Sequence, residues 1–255
     1  MRFEKWHALG NAYLLVMADE AVPLHPERIR RLCDANTGIG SDGVLEVVGH
    51  DDRQAEIRIW NPDGSQAEMS GNGTRIAAAW LLRATAATEV EITVAGRRVR
   101  ATAARDCQVR QSLGEAIVAD DLVLDVAGER IAVTPVDVGN PHAVVLRDAL
   151  SRDDLFRLGP ALESHPTFPH RTNVQLARPE PRDTVSVLVW ERGAGETSAS
   201  GSSAAAVAAA AVTRGWCDSP VRIAMPGGAL TVSVRGREVT LEGPAERIYV
   251  GETDL

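Results

Sequence analysis

The chain has 255 residues, of which 44% are hydrophobic and 24% charged, a balance typical of a globular protein and not of a disordered one. Its formal net charge of −8 argues against nucleic acid or an anionic membrane surface as a partner. The longest apolar run, residues 204–212, is too short to span a bilayer.

Short Val- and Ile-rich runs bounded by Gly, Pro or Asp recur along the chain and predict strands, mostly antiparallel. They cover residues 14–18, 44–48, 55–60, 90–96, 97–104, 115–119, 122–126, 129–136, 142–147, 172–178, 184–190, 221–227, 229–236 and 238–243. Helical patterns are few and cover residues 25–34, 73–87, 153–164 (a weak pattern) and 202–216. Residues 203–212 have no polar face, so we expect this helix to be buried. The fold class predicted is α+β.

The two halves of the chain share a pattern. Residues 57–71 read IRIWNPDGSQAEMSG and residues 187–201 read VLVWERGAGETSASG, and both run into Ala-rich helical sequence. The segment GNAYLLV matches GNPHAVV at an offset of 129 residues, and SDGVLEV lies opposite RTNVQLA at an offset of 130. Three collinear matches indicate a duplication.

The duplication predicts two pseudo-symmetric lobes, each a curled, mostly antiparallel sheet around a central Ala-rich helix. We place the N-terminal lobe at residues 1–116, with a last strand at 247–255 returning to it, and the C-terminal lobe at 117–246. Each lobe is long enough to bury its own core.

The start of the chain, MRFEKWHALGNAYLLV, lacks the apolar core and cleavage site of a signal peptide. The cysteines, Cys33, Cys107 and Cys217, form no CxxC pair and are odd in number. They therefore predict neither a zinc knuckle nor a disulfide framework. We expect a soluble cytoplasmic protein.

Ser70 and Ser200 each stand at the start of an Ala-rich helix. Serine is a common N-cap, and capping alone accounts for each residue taken singly. Two equivalent Ser-Gly caps are also what a carboxylate site requires, because the free N–H groups and the positive dipole end of a helix attract anions. If the lobes face each other, a small anion would be held from both sides.

Polar loop residues at repeat-equivalent positions form a second candidate set. Asn11 pairs with Asn140, and Asn61 pairs with Glu191. Arg192 suits a carboxylate and Glu191 an ammonium group, so the set fits a zwitterionic amino acid. The alternatives are Asx turns for the asparagines, Asn173 included, and a solvated charged pair for Glu191 and Arg192.

His142, in the segment GNPH, is a candidate acid–base residue, with a satisfied turn histidine as the alternative. His165 and His170 lie in a Pro-rich stretch with no convincing metal-binding spacing, and His7, in an N-terminal strand context, suits a structural role. No Walker phosphate loop, dinucleotide fingerprint or lysine cofactor motif occurs in the sequence. We expect chemistry without a cofactor or a metal.

At these residues the chain resembles the diaminopimelate epimerase family of pyridoxal-independent amino-acid epimerases. The resemblance spans the whole chain in six ordered motifs: FEKWHALGNAY at 3–13, NTGIGSDGVL at 36–45, NPDGSQAEMSGNGTR at 61–75, GNPHAVV at 139–145, TNVQLA at 172–177 and WERGAGETSASG at 190–201. The family's two pseudo-symmetric α+β lobes, each with a central helix, agree with the duplication.

The resemblance implies inversion at an amino-acid α-carbon by two bases, one removing a proton and the other returning it to the opposite face. In the family these bases are two cysteines, one per lobe, at the positions of Ser70 and Ser200. A thiol has an ordinary pKa of about 8.5, whereas a serine alcohol is several units weaker, at about 1.4 kcal/mol per unit. Serine can still relay a proton with a general base. The family assigns activation of its thiols to the positions of His142 and Glu191.

The substrate shell matches the family more fully, although Ala12 replaces the Asp of the usual GND and SGSS replaces CGTG. The implied substrate-binding residues are Asn11, Asn61, Gly71, Asn72, Asn140, Asn173, Glu191, Arg192, Gly201 and Ser202. The Glu191–Arg192 pair would hold the far amino-acid end of diaminopimelate, and backbone N–H groups near Gly71 and Gly201 would hold the reacting carboxylate.

Three hypotheses stay open. The chain is a diaminopimelate epimerase-type isomerase with serine in place of cysteine; or a natural relative that uses the serines for another cofactor-free reaction on an amino acid, such as dehydration, tautomerisation or another racemisation; or a catalytically silent amino-acid-binding protein. The accompanying changes at Ala12 and at Ser202-Ser203 favour natural divergence over deliberate inactivation. The resemblance also implies a homodimer.

Overall fold

A computed structural model describes residues 1–19, 23–104, 108–181 and 183–255. Cys107 lies outside the described residues. The chain divides into two compact units: the first comprises Met1–Gln111 and Glu242–Leu255, and the second comprises Ser112–Leu241. Both boundaries lie within strands and a few residues before those placed from the sequence, because a continuous strand carries no break in composition at the boundary.

The secondary structure elements follow in chain order. They are β1 Arg2–Ala8, β2 Asn11–Met17, α1 Pro26–Cys33, β3 Val44–His50, β4 Gln54–Trp60, β5 Gln66–Ala67, α2 Gly71–Thr85, β6 Glu89–Val94, β7 Arg97–Ala103, β8 Gln108–Glu115, β9 Ile117–Val118, β10 Leu122–Val126, β11 Glu129–Asp137, β12 Pro141–Leu146, α3 Arg152–Glu163, β13 Asn173–Glu180, β14 Thr184–Glu191, β15 Gly195–Thr197, α4 Gly201–Thr213, β16 Val221–Met225, β17 Gly228–Arg235, β18 Glu238–Pro244 and β19 Glu246–Glu252.

The two units repeat one topology. In the first, β1–β2, β3–β4 and β6–β7 pair antiparallel, whereas β2–β3 and β4–β6 pair in parallel. The second repeats this order with β11–β12, β12–β13, β13–β14, β14–β16 and β16–β17. Even the outer strand matches, since β19 pairs with β1 as β10 pairs with β11. The pseudo-symmetric α+β fold predicted from the duplication is confirmed.

A central helix fills the sheet of each unit. Helix α2 packs against β1, β2, β4, β6 and β7, and α4 packs against β11, β12, β13, β14, β16 and β17. Every residue from 204 to 211 in α4 is at most 2% exposed, as expected for a helix without a polar face. Small side chains let the strands approach the helix closely from several sides.

The sequence-based strands omit β5, β8 and β15, whereas β1 agrees with the N-terminal strand context expected for His7. In β8 the inward-facing Gln111 is fully buried and polar, which hides the apolar alternation that marks a strand. Strands β5 and β15 are short return strands that pair with the ends of β4 and β14. No helix within the described ranges is long and apolar enough to cross a membrane.

The packing of α4 predicts a large effect of volume at one position. Ala208 is fully buried, so Ala208→Leu should lower the free energy of unfolding by about 1–3 kcal/mol through overpacking. Ala132→Leu on the exposed side of β11 is the matched control and should change it by less than about 0.5 kcal/mol. Urea denaturation measures both, and equal effects would contradict the central position of α4.

Candidate active site

Ser70 and Ser200 occupy the same local structure in the two units. Each is the N-cap of its central helix with an extended backbone, at φ −143° and ψ 118° for Ser70 and φ −143° and ψ 125° for Ser200. Ser70 Oγ accepts a hydrogen bond from Gly73 N at 3.0 Å, and Ser200 Oγ accepts one from Ser203 N at 3.4 Å. Both hydroxyls therefore lie at the positive end of a helix dipole.

Each helix start keeps two backbone donors available. Among the described residues, no acceptor bonds to Gly71 N or Asn72 N in α2, or to Gly201 N or Ser202 N in α4. Neither helix carries an acidic residue in its first turn. Both helix N-termini can thus receive an anion such as a carboxylate.

Arg75 adds a buried positive charge to the first unit. Its side chain is fully buried, and burial lowers its pKa to about 10, so it stays charged at neutral pH. Its guanidinium donates to Pro244 O at 3.0 Å and to Asn72 Oδ1 at 3.0 Å. No carboxylate pairs with it in the described part of the chain. An uncompensated cation one turn from Ser70 favours an anion at this helix start.

Asn11 and Asn72 are joined in one hydrogen-bonded chain. Asn72 Nδ2 donates to Asn11 Oδ1 at 3.1 Å, and Asn11 Nδ2 donates to Asp42 Oδ2 at 3.2 Å. The same Asp42 oxygen accepts from Ala12 N at 2.7 Å. Asp42 therefore fixes both the side chain of Asn11 and the backbone beside it.

The two serines have different side-chain partners. In the first unit, Tyr13 Oη lies 3.2 Å from Ser70 Oγ. In the second unit, the Glu191 carboxylate interacts with the hydroxyls of Ser200 and Thr197, the latter at 3.1 Å. Burial raises the pKa of Glu191, and these two hydrogen bonds offset only part of the rise. A carboxylate with a raised pKa beside a serine hydroxyl has the properties of a general base.

His142 is buried in the second unit with both ring nitrogens occupied. Gln175 Nε2 donates to Nδ1 at 3.0 Å, which leaves the ring proton on Nε2, 3.0 Å from Asn140 Oδ1. Burial, together with the charge of Arg192, lowers the pKa of His142 to about 3. The imidazole is neutral here and orients Asn140; its role as an acid–base residue stays a prediction.

Asn173 links two segments of the second unit. Its Nδ2 donates to Pro141 O and its Oδ1 accepts from Arg192 N, both at 3.0 Å. The exposed Arg192 guanidinium donates to His170 O at 3.1 Å. By contrast, Asn61 is held in a local turn, where its Nδ2 donates to Ser65 Oγ at 2.9 Å. In the described structure Asn61 shares no hydrogen bond with the other predicted site residues.

Glu163, at the end of α3, anchors the loop that carries Glu191 and Arg192. Its buried carboxylate accepts from Trp190 Nε1 and from Gly193 N, each at 2.7 Å, and pairs with Arg171. Burial would raise the pKa of Glu163, but these hydrogen bonds and the Arg171 charge together lower it.

Sequence reasoning missed several of these supporting residues, namely Tyr13, Asp42, Arg75, Glu163, Gln175 and Thr197. Two of them carried a signal. Arg75 is a charge directly before the apolar run IAAAWLL of a helix, and Gln175 interrupts the apolar run VQLA. Such polar residues are buried only when they have partners, so both point to an internal polar network.

Comparison with known proteins gives consistent matches. The sequence profile of the family described as Diaminopimelate epimerase matches residues 3–118 and 134–248. The diaminopimelate epimerase of Pseudomonas syringae pv. tomato is 36% identical over 274 residues, which cover 100% of this chain and 99% of that protein. Diaminopimelate epimerase 2 of Nostoc sp. is 38% identical over 260 residues, or 92% of this chain and 89% of that protein.

Two solved structures share the fold. A hydroxyproline epimerase from Agrobacterium vitis, with bound trans-4-hydroxy-L-proline, has a TM-score of 0.69 at 17% identity and covers 98% of this chain and 91% of its own. A phenazine biosynthesis protein of the PhzF family from Bacillus anthracis has a TM-score of 0.74 at 13% identity, with coverage of 100% and 99%. At these identities the likeness concerns the fold alone.

The anchoring role of Glu163 predicts a pH-dependent stability. Because its folded pKa is lowered, its stabilisation is present above the unfolded pKa of about 4.3 and is lost as pH falls through the folded value. Glu163→Gln should therefore lower the free energy of unfolding at pH 7 by roughly 1–3 kcal/mol and weaken its fall between pH 5 and 3. Urea denaturation across this range measures the effect.

The exposed Glu238 supplies the control, since Glu238→Gln should leave the unfolding free energy at pH 7 nearly unchanged. An unaltered stability of Glu163→Gln at pH 7 would show that the carboxylate does not anchor the loop.

Proposed function

Because the chain belongs to the diaminopimelate epimerase family, we propose that this isomerase interconverts LL- and meso-diaminopimelate by proton transfer at the α-carbon, without a cofactor. Such a reaction serves the synthesis of lysine and cell-wall precursors. The observation that carries the proposal is the pairing of Ser200, at the start of α4, with the half-buried carboxylate of Glu191.

In the second unit, Ser200 and Glu191 together act as a base. As the substrate α-proton passes to Ser200 Oγ, the hydroxyl proton of Ser200 passes to Glu191. The serine ends neutral and the carboxylate ends as a carboxylic acid, so no free alkoxide forms. The raised pKa of Glu191 strengthens it as a proton acceptor at neutral pH.

The helix starts receive the negative charge of the reacting amino acid. The free N–H groups of Gly71 and Asn72 in the first unit, and of Gly201 and Ser202 in the second, bind a carboxylate or its developing enolate. Arg75 supports this charge in the first unit. The chain from Asp42 through Asn11 to Asn72 holds these donors in place.

The remaining polar residues select the substrate. Arg192 binds the far carboxylate, and Glu191 lies beside it for the far ammonium group. Asn173, whose side chain fixes the backbone of Arg192, positions this pair. Asn61 and Asn140 supply further amide contacts.

A second candidate function is a one-base reaction on an amino acid, such as a dehydration or a tautomerisation. It is favoured by the unequal partners of the two serines. At the position in the first unit that is equivalent to Glu191, the chain has the amide Asn61. Asn61 cannot accept a proton as a carboxylate does. This candidate requires proton exchange but no inversion.

The proposal includes a cytoplasmic location and a homodimer. Cys33 and Cys217, the described cysteines, are free thiols, which suits a reducing compartment. The homodimer is supported by the family resemblance.

Exchange of the α-proton in heavy water tests the proposed reaction. Incubated with LL- or meso-diaminopimelate, the chain should incorporate deuterium with inversion, as followed by NMR and chiral chromatography. The double change Ser70→Cys/Ser200→Cys should raise the rate by about 100-fold or more, because each thiol is several pKa units more acidic than a serine.

Each other result identifies another function. Exchange without inversion would support the one-base reaction, and binding without exchange a silent binding protein. Diaminopimelate would be abandoned as the substrate if the correctly folded double cysteine variant produced no inversion.

A second prediction separates the effect of Glu191 on stability from its effect on the exchange rate. Since its folded pKa is raised, ionised Glu191 reduces stability above the unfolded pKa of about 4.3. Glu191→Gln should therefore leave the free energy of unfolding at pH 7 equal or higher while lowering the exchange rate by about 100-fold or more. Wild-type exchange should decline as pH falls through the raised pKa, and the variant should lose this dependence.

Glu238→Gln again serves as the control, with unchanged exchange. If Glu191→Gln kept the wild-type rate and pH profile, Glu191 would not be the base.

A further inference from the structure

The hydroxyl of Tyr13 contacts the candidate proton-transfer atom of the first unit. Tyr13 Oη lies 3.2 Å from Ser70 Oγ, which also accepts from Gly73 N. The ring is buried, and it lies against Gly43, where a Cβ would come within 2.7 Å of Tyr13 Cε1. A side chain at position 43 would clash with this ring and, at 2.5 Å, with Trp60 O, so the glycine allows the ring to pack here.

Comparison of the two repeats shows that the first unit has no carboxylate at the position of Glu191 to assist its serine. The residue equivalent to Glu191 is Asn61, whose amide bonds to Ser65. The residue equivalent to Tyr13 is His142, which bonds to Asn140 and Gln175. Within the described contacts, then, the first unit gives its serine a phenol, whereas the second gives its serine a carboxylate.

We propose that Tyr13 acts through Ser70 as the proton-donating partner of the first unit, an inference that rests on the proposed proton-transfer function. When Ser70 gives its hydroxyl proton to the substrate carbanion, the phenolic proton moves from Tyr13 to Ser70 Oγ. The serine ends neutral and Tyr13 ends as a phenolate, which regains its proton from solvent or from the reverse reaction.

The acidities of the groups favour this route. A phenol has an ordinary pKa of about 10, several units below that of a serine alcohol, and each unit is worth about 1.4 kcal/mol. Negative charge left on the phenol is therefore far less costly than charge left on Ser70. The phenol oxygen contacts Ser70, the N-cap of α2, so the positive end of that helix lies close to the developing negative charge.

The two units therefore give their serines partners of different chemistry. A phenol carries a proton that it can give up, whereas a carboxylate oxygen can accept one. The first unit is thus prepared to donate a proton and the second to accept one, as a two-base inversion requires.

The test is Tyr13→Phe, which keeps the ring and removes the hydroxyl. In the wild-type background it should lower inversion of diaminopimelate by about 100-fold or more, with KM changed less than about threefold and the alkaline limb of the pH profile shifted. In the Ser70→Cys background the loss should be below about tenfold, because a thiol needs less assistance. Tyr249→Phe, at the exposed tyrosine, is the matched control and should keep the wild-type rate.

A second measurement does not depend on turnover. In Ser70→Cys, alkylation by iodoacetamide as a function of pH reports the pKa of the introduced thiol, with the wild-type chain supplying the background from its native cysteines. If the Tyr13 hydroxyl donates to this position, adding Tyr13→Phe should raise that thiol pKa and slow alkylation at neutral pH.

The two measurements separate the possible failures. Equal losses in both backgrounds, or an unchanged thiol pKa, would overturn the role of Tyr13 while leaving the isomerase proposal intact. If neither wild type nor Ser70→Cys/Ser200→Cys acted on diaminopimelate, the proposed function would fall, and the thiol titration would still decide whether Tyr13 acts on position 70.

Discussion

The start of an α-helix presents backbone N–H groups that the helix itself cannot satisfy, and this constraint organises both units. In α2 and α4 a serine cap satisfies one such group, while the next two donors stay free within the described structure. Each central helix packs against its sheet, and its N-terminus carries the backbone N–H groups that can bind an anion. The candidate site follows from where the buried helices begin.

Buried charge is the second constraint. Arg75 and Glu163 are buried and Glu191 is half-buried, and each is stabilised differently. Glu163 has a cation and two N–H donors, which makes it structural. Among the described contacts, Arg75 donates to carbonyl and amide oxygens and Glu191 accepts from hydroxyl groups, so both retain electrostatic potential for a ligand. Arginine and glutamate therefore serve both stability and function, and the difference lies in how fully neighbouring groups neutralise the charge.

The two units are more alike in backbone geometry than in the side chains beside the two serines. The serine caps share the same φ, and the sheets repeat the same order of parallel and antiparallel pairs. The side chains beside the serines differ: Tyr13 stands where the repeat has His142, and Asn61 stands where it has Glu191. In a reaction that takes a proton on one side and returns it on the other, one group must begin protonated and the other ionised, and a phenol and a carboxylate suit these two roles.

Local patterns in the sequence determined the strands, the buried helix, the duplication and the serine caps, because each depends on residues close together in the chain. The sequence did not predict the short return strands β5 and β15 or strand β8 with its buried Gln111. These strands are defined by their pairing with other strands and not by a local apolar pattern. Only the tertiary structure decided that Tyr13 meets Ser70 and that Glu163 anchors the loop at Gly193. These contacts join residues 57 and 30 positions apart, and burial, which sets the pKa of Glu191 and His142, is a property of the packed fold and not of any segment.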